Sequence, residues 1–245
     1  MKREFPQLFW GLVVLALALA GAAVFTVAAV RDARRANDEI TVTGSAKRSI
    51  TSDNAMVRLT VSNTGFTARE AYPTVQGDAR RVLSFLSAQG VPDAEVTRVP
   101  LRTESGTYTE TLPDGRKVER ATVTLTRSFE VQSANVARVV AVSQGVGSLI
   151  EEGVAVQVDP VQYLYTRLAD VRIRLLADAT RDARERAQAI AEASGAHVGA
   201  VRSARMGVFQ ITPKNTTQAD DYGSFDTTSR EKDVTAVVGV TFAVQ

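Results

Sequence analysis

Few side chains in this sequence could carry out chemistry, and their types limit what that chemistry is. The chain has 245 residues, no cysteine and one histidine, His197. It therefore cannot form disulfides, thiolate nucleophiles, Cys/His zinc sites or, within one subunit, a two-histidine metal site. No partner is visible near His197, which favours an isolated surface or half-buried imidazole over a lone base or a ligand shared in a multimer.

Three acids, Asp178, Asp182 and Glu185, recur at positions i, i+4 and i+7 and so share one face of a predicted helix. Such a face could gather a divalent cation or supply paired carboxylates for acid–base catalysis. Arginines such as Arg181 and Arg186 are interleaved with these acids, which favours salt bridges on a solvated helix. We therefore assign no catalytic, cofactor-binding or metal-binding residue, and we expect no cofactor.

Charge and loop composition bear on the partners of the chain. A net charge of +2 is too small for a dedicated nucleic-acid binder, so no nucleic-acid partner is expected. A polar stretch from Pro213 to Asp233 separates two predicted strands, and loops of this length are either mobile or functional. Its aromatic residues, Tyr222 and Phe225, are the candidates for contact with a protein partner, whose identity the sequence does not give.

The elements that position these residues follow from hydrophobic periodicity. Alternation of apolar and polar residues predicts strands, and apolar residues every three or four positions predict helices. Arg127 is the one charged residue on the apolar face of its predicted strand. Strands are predicted near 40–43, 55–61, 95–110, 117–131, 154–158, 197–209 and 234–244, and helices at 67–89, 133–144 and 161–194. Pro113-Asp114-Gly115 is typical of a hairpin turn, and Gly145-Val146-Gly147 of a helix end.

This order predicts an α+β fold with largely antiparallel sheets, helices packed on one face, and two βαββ-like units. The helix at 161–194 carries an alanine-rich stripe, whose small side chains permit close approach of a sheet or a second helix. The last strand has apolar residues on both faces and ends the chain. We therefore predict a sheet edge that pairs with another copy, giving a homo-oligomer with this interface: Val234, Val237, Val238, Val240 and Phe242.

The N-terminus carries an uncharged run from Leu8 to Val30, which as a helix would reach roughly 34 Å and span a bilayer core of about 30 Å. We predict a signal anchor at 8–30, a cytoplasmic tail at 1–7, a linker at 31–38 and a folded domain at 39–245. Cleavage at Ala20-Gly21-Ala22 is the alternative, although the apolar run continues well past it. The expected location is the inner membrane, crossed once, with the C-terminal domain in the periplasm or outside the cell.

Several short patterns occur in order along the predicted domain. They are Ile40-Thr41-Val42-Thr43-Gly44, Asp53-Asn54-Ala55, Gly90-Val91, Glu95-Val96-Thr97, and Ala177-Asp178-Ala179 continued by Ala183, Ala187, Ala191, Gly195 and Gly199. By the order of these patterns rather than by one motif, the domain resembles the SIMPL family of bacterial periplasmic and outer-membrane-associated proteins over about residues 39–245. The resemblance implies an α+β domain, a tendency to form homo-oligomers and an association with oxidative and envelope stress, but no agreed catalytic residues.

Composition and resemblance together predict a non-enzymatic, membrane-anchored envelope protein that self-associates through its SIMPL-like domain. The alternative is a carboxylate-based enzyme or a small-ligand-binding module that acts on cell-envelope material. A cleft lined by carboxylates with raised pKa would favour the enzyme, and a discrete multimer would favour the assembly.

Overall fold

A computed structural model of the chain describes residues 38–216 and 223–244, together with residues 12, 13, 15–19, 22 and 26, which are helical. Most of the predicted anchor Leu8–Val30, the tail before it and the linker up to residue 37 lie outside the described residues. Within the described part, no helix is both long and apolar enough to cross a membrane.

The folded part is α+β, and its two sheets are built from antiparallel strand pairs, as the sequence predicts. The helices are α1 (Ala68–Ala88), α2 (Val136–Gly145), α3 (Gly147–Glu151) and α4 (Leu168–Ala193), with a 3-10 turn at Asp93–Glu95. The strands are β1 (Glu39–Thr51), β2 (Asn54–Gly65), β3 (Val96–Arg98), β4 (Arg102–Thr111), β5 (Lys117–Ser133), β6 (Val156–Val158), β7 (Gln162–Leu164), β8 (Val198–Met206), β9 (Gln210–Pro213) and β10 (Glu231–Val244).

The chain forms two compact units. The first comprises Met1–Lys47, Arg172–Phe209 and Thr235–Gln245, and the second comprises Arg48–Val171 and Gln210–Val234. One sheet has the order β1-β10-β8, with β9 also paired to β10. The other has the order β3-β5-β2-β6, with β4 paired to β5 and β7 paired to β2.

The core of the second unit lies between its sheet and helices α1 and α2, which pack on β2 and β5. Val57, Leu59 and Val61 alternate along β2 and are buried, as their period-two spacing predicts. Thr67 caps α1 by accepting a hydrogen bond from the backbone N–H of Glu70. The helix therefore begins before Pro73, which lies inside it.

In the first unit, the alanine-rich face of α4 is buried, and β1 approaches it at a glycine. A Cβ atom placed on Gly44 would lie 2.1 Å from the carbonyl oxygen of Ala179 and 2.5 Å from the amide nitrogen of Ala183. Ala179, Ala183 and Ala187 are fully buried. The predicted close approach to the alanine stripe is confirmed, and its partner is β1.

The strands of the two predicted βαββ units are distributed differently from expectation. In the predicted order the strand at 154–158 opens the second unit, but β6 pairs with β2 in the six-stranded sheet. β1 instead shares a sheet with β8 and β10, the strands that follow α4. A three-residue strand offers few hydrogen bonds, whereas β1 is long and carries the glycine that α4 requires.

At Gly145-Val146-Gly147, α2 ends as predicted, but α3 begins immediately.

The prediction that the last strand forms a sheet edge is wrong. β10 lies between β1 and β8, so both of its edges are paired. β10 is rich in apolar residues because it is a central strand. One of its faces is buried in the protein and the other is half-buried. Of the residues predicted as an oligomer interface, four are buried and only Val237 is half-exposed: Val234, Val238, Val240 and Phe242 are the buried ones.

Candidate functional site

The single histidine is exposed on the short connection between α4 and β8. Among the described residues, no group of three or more histidine, aspartate or glutamate side chains is placed to hold a metal ion. In this part of the chain, His197 therefore does not belong to such a metal-holding group.

Two of the three helical acids form the salt bridges that the sequence predicts. Asp178 pairs with Arg181 at 3.0 Å and Asp182 with Arg186 at 2.9 Å. Asp182 has a further role, because its carboxylate accepts a 2.7 Å hydrogen bond from the backbone N–H of Ser45 in β1. This N–H, and then the Arg186 guanidinium, hold the pKa of Asp182 below its usual range. Asp182 thus ties α4 to β1 in its ionised form.

A buried lysine in the second unit was missed by sequence reasoning. Lys232 is only 3% exposed. Its ammonium donates a 2.7 Å hydrogen bond to the carbonyl oxygen of Tyr163 and a second, short one to the carbonyl oxygen of Asp226. Burial lowers the pKa of Lys232, and the negative charge of Asp226 opposes this shift. With two carbonyl partners, this amine fixes the loop before β10 rather than presenting a nucleophile.

The neighbouring Asp233 is buried as well. Its carboxylate accepts a 2.7 Å hydrogen bond from the hydroxyl of Ser49 and a 3.3 Å bond from the backbone N–H of Asn215. Asn215 has a φ of 65°, a left-handed conformation that asparagine tolerates in turns. From the sequence, the charged triplet Glu231-Lys232-Asp233 is predicted to be a solvated loop. Its burial is not predicted, because the partners of Lys232 and Asp233 come from distant segments.

The predicted partner loop is described only in part. Tyr222 lies outside the described residues. Phe225 is 60% exposed and sits at a single parallel bridge to Ile211, so its backbone is held while its ring faces solvent. Contact of this ring with a protein partner remains a prediction.

The clearest candidate interaction surface is the outer edge of β8, in the first unit. In the described part of the chain, β8 pairs with β10 alone, so its other edge carries unpaired backbone groups. From Ala200 to Met206 every residue is exposed. Val201 and Met206 are 51% and 61% exposed, and Val208, just beyond the strand, is 46% exposed. An unpaired strand edge of this length, with exposed apolar side chains between its charged ones, can pair with another strand.

These features define an α+β protein made of two units with antiparallel sheets, an exposed strand edge and, in the described residues, no metal-holding cluster of acids and histidine. The family profile of SIMPL, described as "Protein of unknown function (DUF541)", matches residues 40–242. The chain belongs to the SIMPL family. This confirms the resemblance that the sequence patterns indicate.

No curated protein matches the chain. Among solved structures, an amidase of the hydantoinase/carbamoylase family from Burkholderia multivorans is 15% identical, with a TM-score of 0.22 over 50% of this chain and 29% of that one. A hydrolase from Listeria innocua is 10% identical, with a TM-score of 0.21 over 81% and 91% of the two chains. Likenesses this weak carry no argument about the activity of the chain.

Proposed function

We propose that the protein is a non-enzymatic, membrane-anchored component of the cell envelope that self-associates through its SIMPL domain. The uncharged run Leu8–Val30 supports the anchor, since it is long enough to span a bilayer and is followed by a folded domain. In this proposal the domain faces the periplasm or the cell exterior, and a role in oxidative or envelope stress is exercised by the assembly.

The observation that carries self-association is the open edge of β8. Because both edges of β10 are occupied, the interface predicted from the sequence cannot pair with a second copy by strand addition. A second β8 strand, running antiparallel about a two-fold axis, would satisfy the open backbone groups of both copies at once. Two-fold pairing of identical edges closes on itself, so it gives a discrete assembly rather than a fibre.

Charge disfavours some registers of this pairing, and we propose one in which no like charges are directly opposed. An axis through Arg202 would place two arginines directly opposite each other, which is destabilising. An axis through Ala204 instead places Arg202 opposite Met206 of the second copy and Ser203 opposite Arg205. The small Ala204 side chains then meet at the axis, where Cβ atoms of opposing residues lie about 4.5–5.5 Å apart.

This register predicts a disulfide between two copies of the Ala204→Cys variant in the full-length protein under mild oxidation. The native chain has no cysteine, so the new thiol is the only one present. Ala200→Cys is the matched control, since it is an exposed alanine on the same strand. Its two copies would be about 27 Å apart, at about 3.4 Å per residue, and should not cross-link.

Non-reducing electrophoresis measures both outcomes. Efficient cross-linking at position 204 with none at position 200 supports the β8 pairing. Cross-linking at 200 alone contradicts the register, and cross-linking at neither site, together with a monomeric mass by light scattering, contradicts self-association itself.

The anchor is tested separately. Protein isolated from its native host is expected to remain in the membrane fraction after alkaline washing and to retain its N-terminus, because the apolar run exceeds a cleavable signal region. Intact-mass analysis decides this. A mature chain that begins near Ala22 or Ala23 would identify a secreted protein and contradict the anchor, while leaving the β8 test unaffected.

A further inference from the structure

A groove in the second unit lies between α1 and the six-stranded sheet, and we call it the α1 groove. It encloses about 160 Å³. Its accessible apolar lining includes Leu83 of α1 and Leu101, both half-buried. Val75 and Phe129 also line it but are almost fully covered by the protein, each 2% exposed. Arg80, Arg98 and Arg127 also line it, and among the described residues no acidic side chain does. The α1 groove therefore combines an apolar lining with three guanidinium groups.

Arg127 is unusually placed for a charged residue. It lies directly opposite Val61 in the β2–β5 register, and Val61 is fully buried under the helices. Paired residues of antiparallel strands point to the same face, so Arg127 lies on the core face of the sheet. Its side chain is half-buried, and no carboxylate in the described part of the chain pairs with it. Partial removal of a cation from water without a counter-ion carries a cost, and a bound anion would reduce that cost.

The other two arginines differ in how much charge they leave available. Arg98 forms a bidentate salt bridge with Asp93, which lies outside the groove, so the charge of Arg98 is largely compensated. Arg80 is exposed on α1 and, within the residues that the structure describes, has no acidic partner. Arg80 and Arg127 are thus the groups available to a ligand anion, and a planar guanidinium can hold a carboxylate through two parallel hydrogen bonds.

The size of the groove limits the apolar part of the ligand. A dry protein cavity of about 150 Å³ accommodates a benzene molecule, so the α1 groove has room for one aromatic ring and its substituent. An inorganic anion would leave the half-buried apolar side chains of Leu83 and Leu101 uncovered, and a neutral ring would leave Arg127 without a counter-ion.

We propose that the α1 groove binds a small aromatic monocarboxylate, with the carboxylate held by Arg127 and Arg80 and the ring packed on Leu83 and Leu101. Binding is reversible and involves no covalent step. The site lies in the second unit, away from β8 in sequence, and does not depend on self-association.

Benzoate is the probe, titrated into the full-length protein in lipid nanodiscs and measured by calorimetry against empty nanodiscs. Benzamide has nearly the same shape without the charge, and acetate and inorganic phosphate have the charge without the ring. We expect benzoate to bind at least tenfold more tightly than any of the three. Equal affinity for benzamide, equal affinity for acetate or phosphate, or no benzoate binding at millimolar concentration would each overturn the proposal.

Arg127→Gln is expected to weaken benzoate binding at least tenfold, since it removes the charge while keeping a polar side chain of similar shape. Arg120→Gln is the matched control, because Arg120 lies on the same strand but pairs with Glu110 outside the groove. If Arg127→Gln does not fold, Arg80→Gln on the exposed face of α1 replaces it and should weaken binding several-fold. Unchanged affinity in a folded variant of either groove arginine contradicts the proposal.

Discussion

Replacing Gly44 by alanine is expected to destabilise the first unit severely, because the protein has no room for the added methyl group. The new Cβ atom would lie 2.1 Å from the Ala179 carbonyl oxygen and 2.7 Å from the Ala183 Cβ atom. These neighbours belong to α4 itself, so rotation of a side chain cannot relieve the clash. Added volume in a packed core usually costs about 1–3 kcal/mol. Because backbone atoms are involved, we expect a loss at or above about 3 kcal/mol.

The same clash would separate β1 from α4 and break the hydrogen bond between the Ser45 N–H and the Asp182 carboxylate. Urea denaturation followed by circular dichroism measures the loss. Gly77→Ala in α1 is the matched control, since a Cβ atom there meets nothing within 4 Å. Alanine is favoured over glycine inside a helix by about 0.5–1 kcal/mol, so this variant should be slightly more stable than the native protein. A Gly44→Ala variant with native stability would show that β1 and α4 are not in close contact.

The packing of β1 on α4 illustrates how far the sequence alone can predict this fold. Ala179, Ala183 and Ala187 have helical spacing, so the local sequence predicts both the helix and a close neighbour on its alanine face. The local sequence does not identify that neighbour, because Gly44 is more than a hundred positions away and a single glycine in a strand has many explanations. Local periodicity predicts elements and their buried faces, but pairing between distant strands depends on contacts that no local pattern records.

The candidate sites show the same limit. Arg127 is noticeable in the sequence, since it interrupts an apolar face, but the groove it lines requires α1 to lie across β5. Lys232 and Asp233 have no such signal. Their partners, Tyr163 and Ser49, come from other segments, and a charged triplet before a strand is most simply read as solvated loop.

The prediction that β10 forms a sheet edge is wrong because its apolar composition is compatible with two different positions in a sheet. Apolar residues on both faces occur in an edge strand that pairs with another molecule, and equally in a central strand covered on both sides. Chain order does not determine sheet order, so the position of β10 after the other strands does not make it an edge. In the structure β10 is central and β8 forms the outer position, with its exposed residues Val201 and Met206.

Because β10 is central and β8 is at the edge, the same substitution should have opposite effects at two residues that are paired on these adjacent strands. Val238 in β10 is opposite Met206 in β8, but Val238 is 2% exposed and Met206 is 61% exposed. Val238→Lys should unfold the first unit, because a buried unpaired charge costs several kcal/mol. Phe242→Lys should behave in the same way, since Phe242 is equally buried.

Met206→Lys should instead remain folded and become monomeric. In the proposed register the new lysine lies opposite Arg202 of the second copy, and opposed like charges destabilise a strand pair. Adding Arg202→Glu to Met206→Lys converts this repulsion into an ion pair and should restore the assembly, which a general loss of stability would not allow. Thermal melts by circular dichroism and masses by light scattering separate the cases. A folded, monomeric Val238→Lys variant would return the interface to β10, and a Met206→Lys variant that keeps the native mass would exclude the edge of β8.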